Sequence, residues 1–497
     1  MANWDLPVPW DMPVEGLVAL QDLVGENVNA VADCLGRSRI RADFVKDRGG
    51  KRLHMDVTEL LRDVPDYREF LTLEELRASS AALAAEFPAV ASLEVVGRSS
   101  EGRPIELLTI GRGSKNALLL GVPHPNEPIG TLTLEFLSRL LCEREDLRRE
   151  LDYTFLIVKV GDPDGLALNE GWFKGAFSPL KYALNYYRPP HQEQVEWGFP
   201  VQYKTLRFAS PPPETRSVMR LMDRFRPTFF YSLHNAGFCG VYFYVSHRLP
   251  RLFREFHRLV AQQRLPLHRG EPEVPYLEEW DRGVYRIFGV QDTYDFLEQT
   301  LGRDPAPCIA AGTSSDDHLQ TLAPEAFSLV CELPYYSDPA LEDDGPAGVS
   351  RREALAEGIA AAERIFHLVE GHFRELEPSL PDNRLFRSVD DYVRKTPMRL
   401  AAQKRDIETE RYARRATRAE AFDASVCRSF YPCLYLGELY RLAQGIGAED
   451  RAREIRSQIE EVMAKIEAAS NMRVLPLRPL VAVQAGSGLL AMAARSR

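Results

Sequence analysis

The chain has 497 residues, 45% of them apolar, and 62 basic against 72 acidic side chains for a net charge of -10. That length and apolar share exclude a disordered or fibrous chain and suit two to four domains. The negative balance gives no footprint for nucleic acid or an anionic membrane. The 7 cysteines are too sparse and odd a set for a disulfide framework, and no spacing matches a thiolate metal knuckle, so a reducing, cytoplasmic setting is expected. The N-terminus has no basic cluster before an apolar stretch, unlike a secretory signal. No run approaches eighteen uninterrupted apolar residues, so no membrane span is expected.

Three parts follow in chain order. Residues 1–67 are an N-terminal extension without a chemical signature, carrying a basic interval, KDRGGKR, at 46–52. Residues 68–376 alternate helical segments with short apolar runs, the pattern of an α/β domain. A helix opens it after Thr72, with Glu75 completing a capping box. Strand-like runs follow at 92–96, 105–110, 117–120, 153–160, 228–233, 241–246 and 327–333, several apolar throughout as in strands covered on both faces. The polar, proline-bearing segment 377–385 marks a boundary. Residues 377–497 read as a mainly helical domain, with helices over 396–418, 430–444 and 449–470 and a strand-like VLPLRPLVAV beyond them. Its amphipathic stripes must be buried against something, and a homo-oligomer interface is one outcome.

The chemistry begins at ALLLGVPHPNEPIG, which puts His124 and Glu127 in a turn between an apolar strand and a helix. Both are good zinc ligands, but the same spacing recurs at His268/Glu271, His367/Glu370 and His372/Glu375, so spacing alone decides nothing. Position does more. PTFFYSLH ends in His234 and FSLVCEL carries Glu332, each at the close of a strand. In open α/β sheets ligands bind beyond the carboxyl ends of the strands, where these groups can converge. Two histidines and one carboxylate leave a fourth zinc position for water, and a further carboxylate can take that water's proton. A carboxylate amid LVCELPYY would be costly to bury without a partner. The whole describes a metallohydrolase.

In order and spacing, GRSSEGRPIELLTIG, HPNE, GDPDG, SLHN and VCELP, between Gly97 and Pro334, resemble the zinc carboxypeptidases, or funnelins. The resemblance implies a mixed eight-stranded sheet flanked by helices, and one zinc ion held by His124, Glu127 and His234. It also implies Glu332 as general base toward water and then proton donor to the leaving amine. The substrate implied is a peptide or amino-acid amide with a free carboxylate.

The departures bear on substrate choice. Where the family has an Asn-Arg pair for the terminal carboxylate, this chain reads LNYYRPPHQEQVEW; Asn185 matches the asparagine and Arg188 is a candidate for the arginine. The family's carbonyl-polarising arginine would fall in GWFKG, which holds only Lys174. Its mobile tyrosine would fall in PCIAAG, which has none, leaving Tyr335 or Tyr336 as substitutes or as packing. The pocket floor falls at Ser315 or Asp316: serine suits small or polar side chains, aspartate suits lysine or arginine. DPDG reads as a structural turn. An N-acyl amino acid deacylase and a hydrolase tailoring one modified peptide or natural product are alternatives on the same fold, with SSEGRPI favouring the peptidase. A catalytically weak zinc-binding interaction module is a third, disfavoured by Glu332. No Gly-x-Ser-x-Gly elbow or phosphate loop is present.

Overall fold

The computed structural model describes residues 55–309 and 311–495. Most of the N-terminal extension, including KDRGGKR, lies outside the described residues. The architecture is mixed α/β around a nine-stranded sheet. Its strands are β1 Ala91–Arg98, β2 Pro104–Ile110, β3 Lys115–Gly121, β4 Tyr153–Val158, β5 Phe229–Leu233, β6 Tyr242–Val245, β7 Glu279–Asp281, β8 Val284–Arg286 and β9 Phe327–Glu332, in the spatial order β1-β2-β4-β3-β5-β9-β6-β8-β7. The resemblance implied eight strands. The hairpin of β7 and β8 is built from three-residue strands at one edge, too short to show an alternating pattern in the sequence.

The four central strands β4, β3, β5 and β9 run parallel and are almost wholly buried, which explains their near-continuous apolar runs. Alternation divides their side chains between two layers. Leu118, Leu120, Leu156, Val158 and Phe230 pack with Val218, Leu221 and Met222. Ala117, Leu119, Phe155, Ile157, Tyr231 and Leu233 belong to the other, larger core. The parallel registers pair Gly121 with Leu233 and Leu233 with Cys331. Residues following these three positions therefore emerge side by side at one end of the sheet.

The main helices are α1 Leu73–Glu86, α2 Ile129–Glu143, α3 Pro213–Phe225, α4 Pro250–Gln262, α5 Arg351–Leu376, α6 Arg384–Asp406, α7 Arg428–Gly445, α8 Glu449–Ala468 and α9 Leu477–Arg495. Thr72 and Glu75 form the expected capping box of α1. Helix α6 starts earlier than the sequence suggested, because Asn383, inside the polar boundary segment, accepts the Phe386 N–H and caps it. The helix ends at Asp406, and the basic run 411–418 is not one continuous helix: it closes a 3-10 turn Glu410–Tyr412, pairs as a strand over Arg415–Thr417 with Pro346–Ser350, and opens a new helix at Arg418. Arg411, Arg414 and Arg418 pair with Asp406, Glu420 and Asp343.

The helices beyond residue 384 share one core with the sheet, a continuous buried cluster from Met55 to Ala493. Helix α9 contains most of the expected strand-like VLPLRPLVAV. Its small residues let the helix lie close against its neighbours: a Cβ on Gly486 would meet Leu259 Cδ2 at 2.8 Å, and one on Gly488 would meet Tyr231 Cε1 at 2.8 Å. Pro479 sits in its first turn, where a missing N–H costs little. This helix is long and apolar enough to cross a membrane by length and composition, contrary to the count of apolar runs, but most of it is buried inside the protein. Arg384 ties α6 to the DPDG turn, reaching Asp164 Oδ2 at 2.7 Å, Glu214 Oε1 at 3.1 Å and Asp162 Oδ1 at 3.4 Å. Asp162 caps the helix Pro163–Asn169, and Asp164 also accepts from Ser99 Oγ at 2.6 Å and Arg103 Nη1 at 2.8 Å. The turn thus has a structural role.

Candidate metal and catalytic site

Strand β3 ends at Gly121, and the next residue, Val122, adopts a φ of 52°. A β-branched residue in the left-handed region is strained. It redirects the chain so that His124 and Glu127 stand over the sheet end before α2 begins, and the Asp162 N–H holds the Val122 carbonyl at 3.1 Å. His234 follows Leu233 directly. Glu332 closes β9 beside it, as the pairing of Leu233 with Cys331 requires. The side chain of Gln484 on α9 ties the two strand ends together, donating to the carbonyls of His234 at 2.9 Å and Cys331 at 3.2 Å.

One ligand-type atom each from His124, Glu127 and His234 lie within 4.8 Å of one another, and all three residues are buried. Glu127 bridges the two imidazoles, with Oε1 3.1 Å from His124 Nδ1 and Oε2 2.9 Å from His234 Nδ1. Arg188 Nη1 donates to Glu127 Oε1 at 2.8 Å. Glu332 Oε1 is 3.8 Å from His234 Nδ1. His124 Nε2 is buried with no hydrogen-bond partner among the described residues. The donor set of two imidazoles and a carboxylate fits zinc, and the carboxylates of Glu127 and Glu332 on the Nδ1 side of His234 suit a cation between them.

Electrostatics follow from this burial. Desolvation, with Arg188 adding to it, pushes His124 down to about 4, whereas at His234 the effect of burial is overturned by the carboxylates of Glu127, Glu196 and Glu332, which lift it well above its ordinary value. Burial alone would raise Glu127, but His124 and Arg188 overturn that and hold it well below the ordinary carboxylate range. Glu332 goes the other way: burial first, then Glu127 and Glu273, lift it well above. Two neighbouring carboxyls with opposite shifts are the pattern of a ligand beside a proton-transfer group.

Not every expected residue joins this cluster. The Asn185 amide donates to the Lys181 carbonyl at 2.9 Å within its own helix, so the match to the family's asparagine does not bring its side chain to the site. Lys174 is a surface residue paired with Glu75 Oε2 at 2.7 Å. Tyr335 gives its hydroxyl to the Asn126 carbonyl at 2.8 Å and Tyr336 stacks on Phe177 with centroids 5.5 Å apart; both are packing residues. Asp316 turns to Gln320 Nε2 at 3.0 Å. Ser315 points toward the site, but its hydroxyl is taken by Glu196.

Glu196 was not singled out in the sequence. It is buried, accepting from Ser232 Oγ at 2.9 Å and from the Ser315 N–H at 3.3 Å, while Ser232 Oγ lies 2.8 Å from His234 Nε2. This relay fixes the outer face of the His234 ring. The only sequence signal is a carboxylate between the bulky apolar residues Val195 and Trp197.

Residues 76–270 match the family model described as zinc carboxypeptidase, peptidase M14, in keeping with the resemblance carried by HPNE and SLHN. No curated protein matches the chain. Among solved structures, carboxypeptidase A from Helicoverpa armigera aligns at 16% identity with a TM-score of 0.35, covering 65% of this chain and 73% of its own. Bovine thrombin-activatable fibrinolysis inhibitor, in complex with tick carboxypeptidase inhibitor, aligns at 12% and 0.35 over 53% of this chain and 86% of its own. A metallo-carboxypeptidase from Burkholderia cenocepacia aligns at 20% and 0.31 over 53% of this chain and 60% of its own.

Proposed function

We propose that the protein is a zinc-dependent hydrolase that cleaves a peptide or amide bond next to a free carboxylate. The observation that carries the reading is the meeting of His124, Glu127 and His234 with the buried carboxyl of Glu332 beside them. The match of residues 76–270 to the zinc carboxypeptidases supports the same chemistry. Zinc held by these three side chains would lower the pKa of water toward neutrality and polarise a carbonyl oxygen.

The chain's own residues supply the remainder. Glu332 accepts a proton from water as it attacks the scissile carbonyl, then delivers that proton to the departing nitrogen. Its raised affinity for protons serves the second step. Arg188 is the guanidinium beside the ligand set, and a fork of five donors with Nη1 on Glu127 leaves others to grip a substrate carboxylate. Ser232 and Glu196 hold His234 in one orientation.

The test is to incubate the zinc-loaded protein, with and without chelator, with peptides of varied C-terminal residue and follow them by mass spectrometry. Loss of single C-terminal residues, abolished by chelator, is the expected result; survival of every peptide and every N-acyl amino acid with zinc bound would overturn it in favour of a zinc-binding interaction module. The turning away of Asn185 favours one second reading, an N-acyl amino acid deacylase or tailoring hydrolase. In that case acylated amino acids are cut and plain peptides are not.

A further inference from the structure

A cavity of about 420 Å³ lies beside the site, between the sheet and the C-terminal helices. Ala236 lines it two residues after His234, and Tyr242, which also lines it, pairs in register with Glu332. Tyr242, Tyr244 and Tyr285 form the sheet wall; Tyr392 and Arg399 from α6 and Arg428 from α7 form the opposite one. The helix Tyr431 hydroxyl clasps the Gly237 N–H at 3.2 Å, so the two walls are joined next to His234. A volume of this size, walled by aromatic rings with charged and polar groups among them, is that of a small-molecule site.

The charged groups within it differ in how far they are satisfied. Each carboxylate is engaged: Glu271 by Arg351, Glu273 by the hydroxyls of Tyr242 at 2.5 Å and Tyr244 at 2.8 Å, and Asp423 by the Glu271 N–H at 2.8 Å. The two arginines are not. Arg428 reaches only the Gln403 side-chain oxygen, at 3.3 Å, and burial lowers it from its ordinary value. Arg399 forms no ion pair among the described residues. Neither guanidinium makes a direct ion pair among the described residues, although Glu271 and Asp423 act on Arg428 from within the cavity, and both keep donors for an anion at the end of a planar group.

Resting on the hydrolase reading above, we infer that this cavity binds the acyl half of the substrate, an aromatic ring bearing a carboxylate, with the ring between the tyrosine walls and the carboxylate on Arg399 and Arg428. The C-terminal helices then belong to the substrate site. They set which acyl group is accepted, while the sheet end supplies the bond-breaking groups.

The test separates binding from turnover. Calorimetry on the whole protein compares 4-carboxybenzamide, benzamide and 4-(aminomethyl)benzamide. The expected result is that 4-carboxybenzamide binds at least tenfold tighter than the other two, and that Arg399→Glu, an exposed position, removes that advantage while leaving benzamide unchanged. Arg428→Gln should lower the same preference. Equal binding of the three probes, a preference for the aminomethyl compound, or an unchanged preference in Arg399→Glu would overturn the inference. Hydrolysis of 4-carboxybenzoyl over benzoyl amino acids, with the difference in KM, is the second arm. Selective binding by a protein that hydrolyses neither of these, nor any peptide or other N-acyl amino acid, upholds the cavity assignment and overturns only the hydrolytic reading.

Discussion

Glu438 on α7 accepts the backbone N–H of Arg188 at 3.1 Å across 250 positions of chain. The same arginine's carbonyl accepts from Ser388 Oγ on α6 at 2.8 Å. The guanidinium that touches Glu127 is therefore held at its backbone by the two helices that also wall the neighbouring cavity. A helical region that looks like an appendage in the sequence is part of the frame of the site.

Glu438 should also make stability depend on pH. Burial pushes its carboxyl from the ordinary 4.5 up to about 8. Because the folded value is the higher, folding takes up a proton between these limits, and the stabilising contribution is complete below 4.5 and lost as pH rises through 8. Glu438→Gln keeps a carbonyl oxygen for Arg188 and removes the titration. Urea midpoints followed from mildly acidic to alkaline pH should fall less in the variant than in the parent. Parallel curves would show that Glu438 does not titrate in this window.

Glu332→Gln should retain zinc and lose turnover. The amide preserves shape but cannot take a proton from water, and positioned acid-base groups contribute roughly 10²–10⁴-fold. Metal content by mass spectrometry and kcat on whichever substrate is cleaved are the two readouts. A variant with full zinc and near-parental kcat removes Glu332 from the mechanism.

How much of this could be read in advance depended on where the residues sit. His124, His234 and Glu332 are polar residues directly beyond apolar runs, and such a run announces both a strand and its end. Glu196 escaped notice because it lies in an irregular stretch whose burial comes only from packing, with Ser232 on β5 and Ser315 beyond β8 supplied from far along the chain. VLPLRPLVAV misled because a short apolar run has no period to separate strand from buried helix, and Gly486 and Gly488, which let the helix pack closely, come after it. Asn185 matched by letter, yet its helix turned the side chain back on Lys181. The placement of α6 to α8 against the sheet has no local signal: it depends on pairs such as Arg384 with Asp164, 220 positions apart.

His234→Ala should reduce zinc to well below one equivalent per chain. The substitution removes a ligand-type nitrogen 2.9 Å from Glu127 and ends the relay through Ser232 to Glu196. Zinc affinity by chelator competition is the measurement. Ser232→Ala should have a smaller effect in the same direction, since loss of an outer partner of a ligating histidine costs roughly 10–100-fold. Undiminished zinc in His234→Ala would take this residue out of the ligand set.

Arg384→Ala should be the most destabilising of these changes. The guanidinium is buried and meets Asp162, Asp164 and Glu214, themselves buried. Removing it leaves Asp162, already raised to about 7 by burial, and its neighbours without their shared cation; breaking such a buried pair costs about 3–5 kcal/mol. Arg387→Ala, one turn further on α6, loses only partly exposed contacts with Glu193 and Asp382 and should cost about 1 kcal/mol or less. Urea midpoints of the two variants make the comparison. Because Asp162 also holds the Val122 carbonyl beneath His124, a folded Arg384→Ala protein should bind zinc more weakly than Arg387→Ala. Equal midpoints for the two would mean that the buried cluster does not fasten the helices to the site.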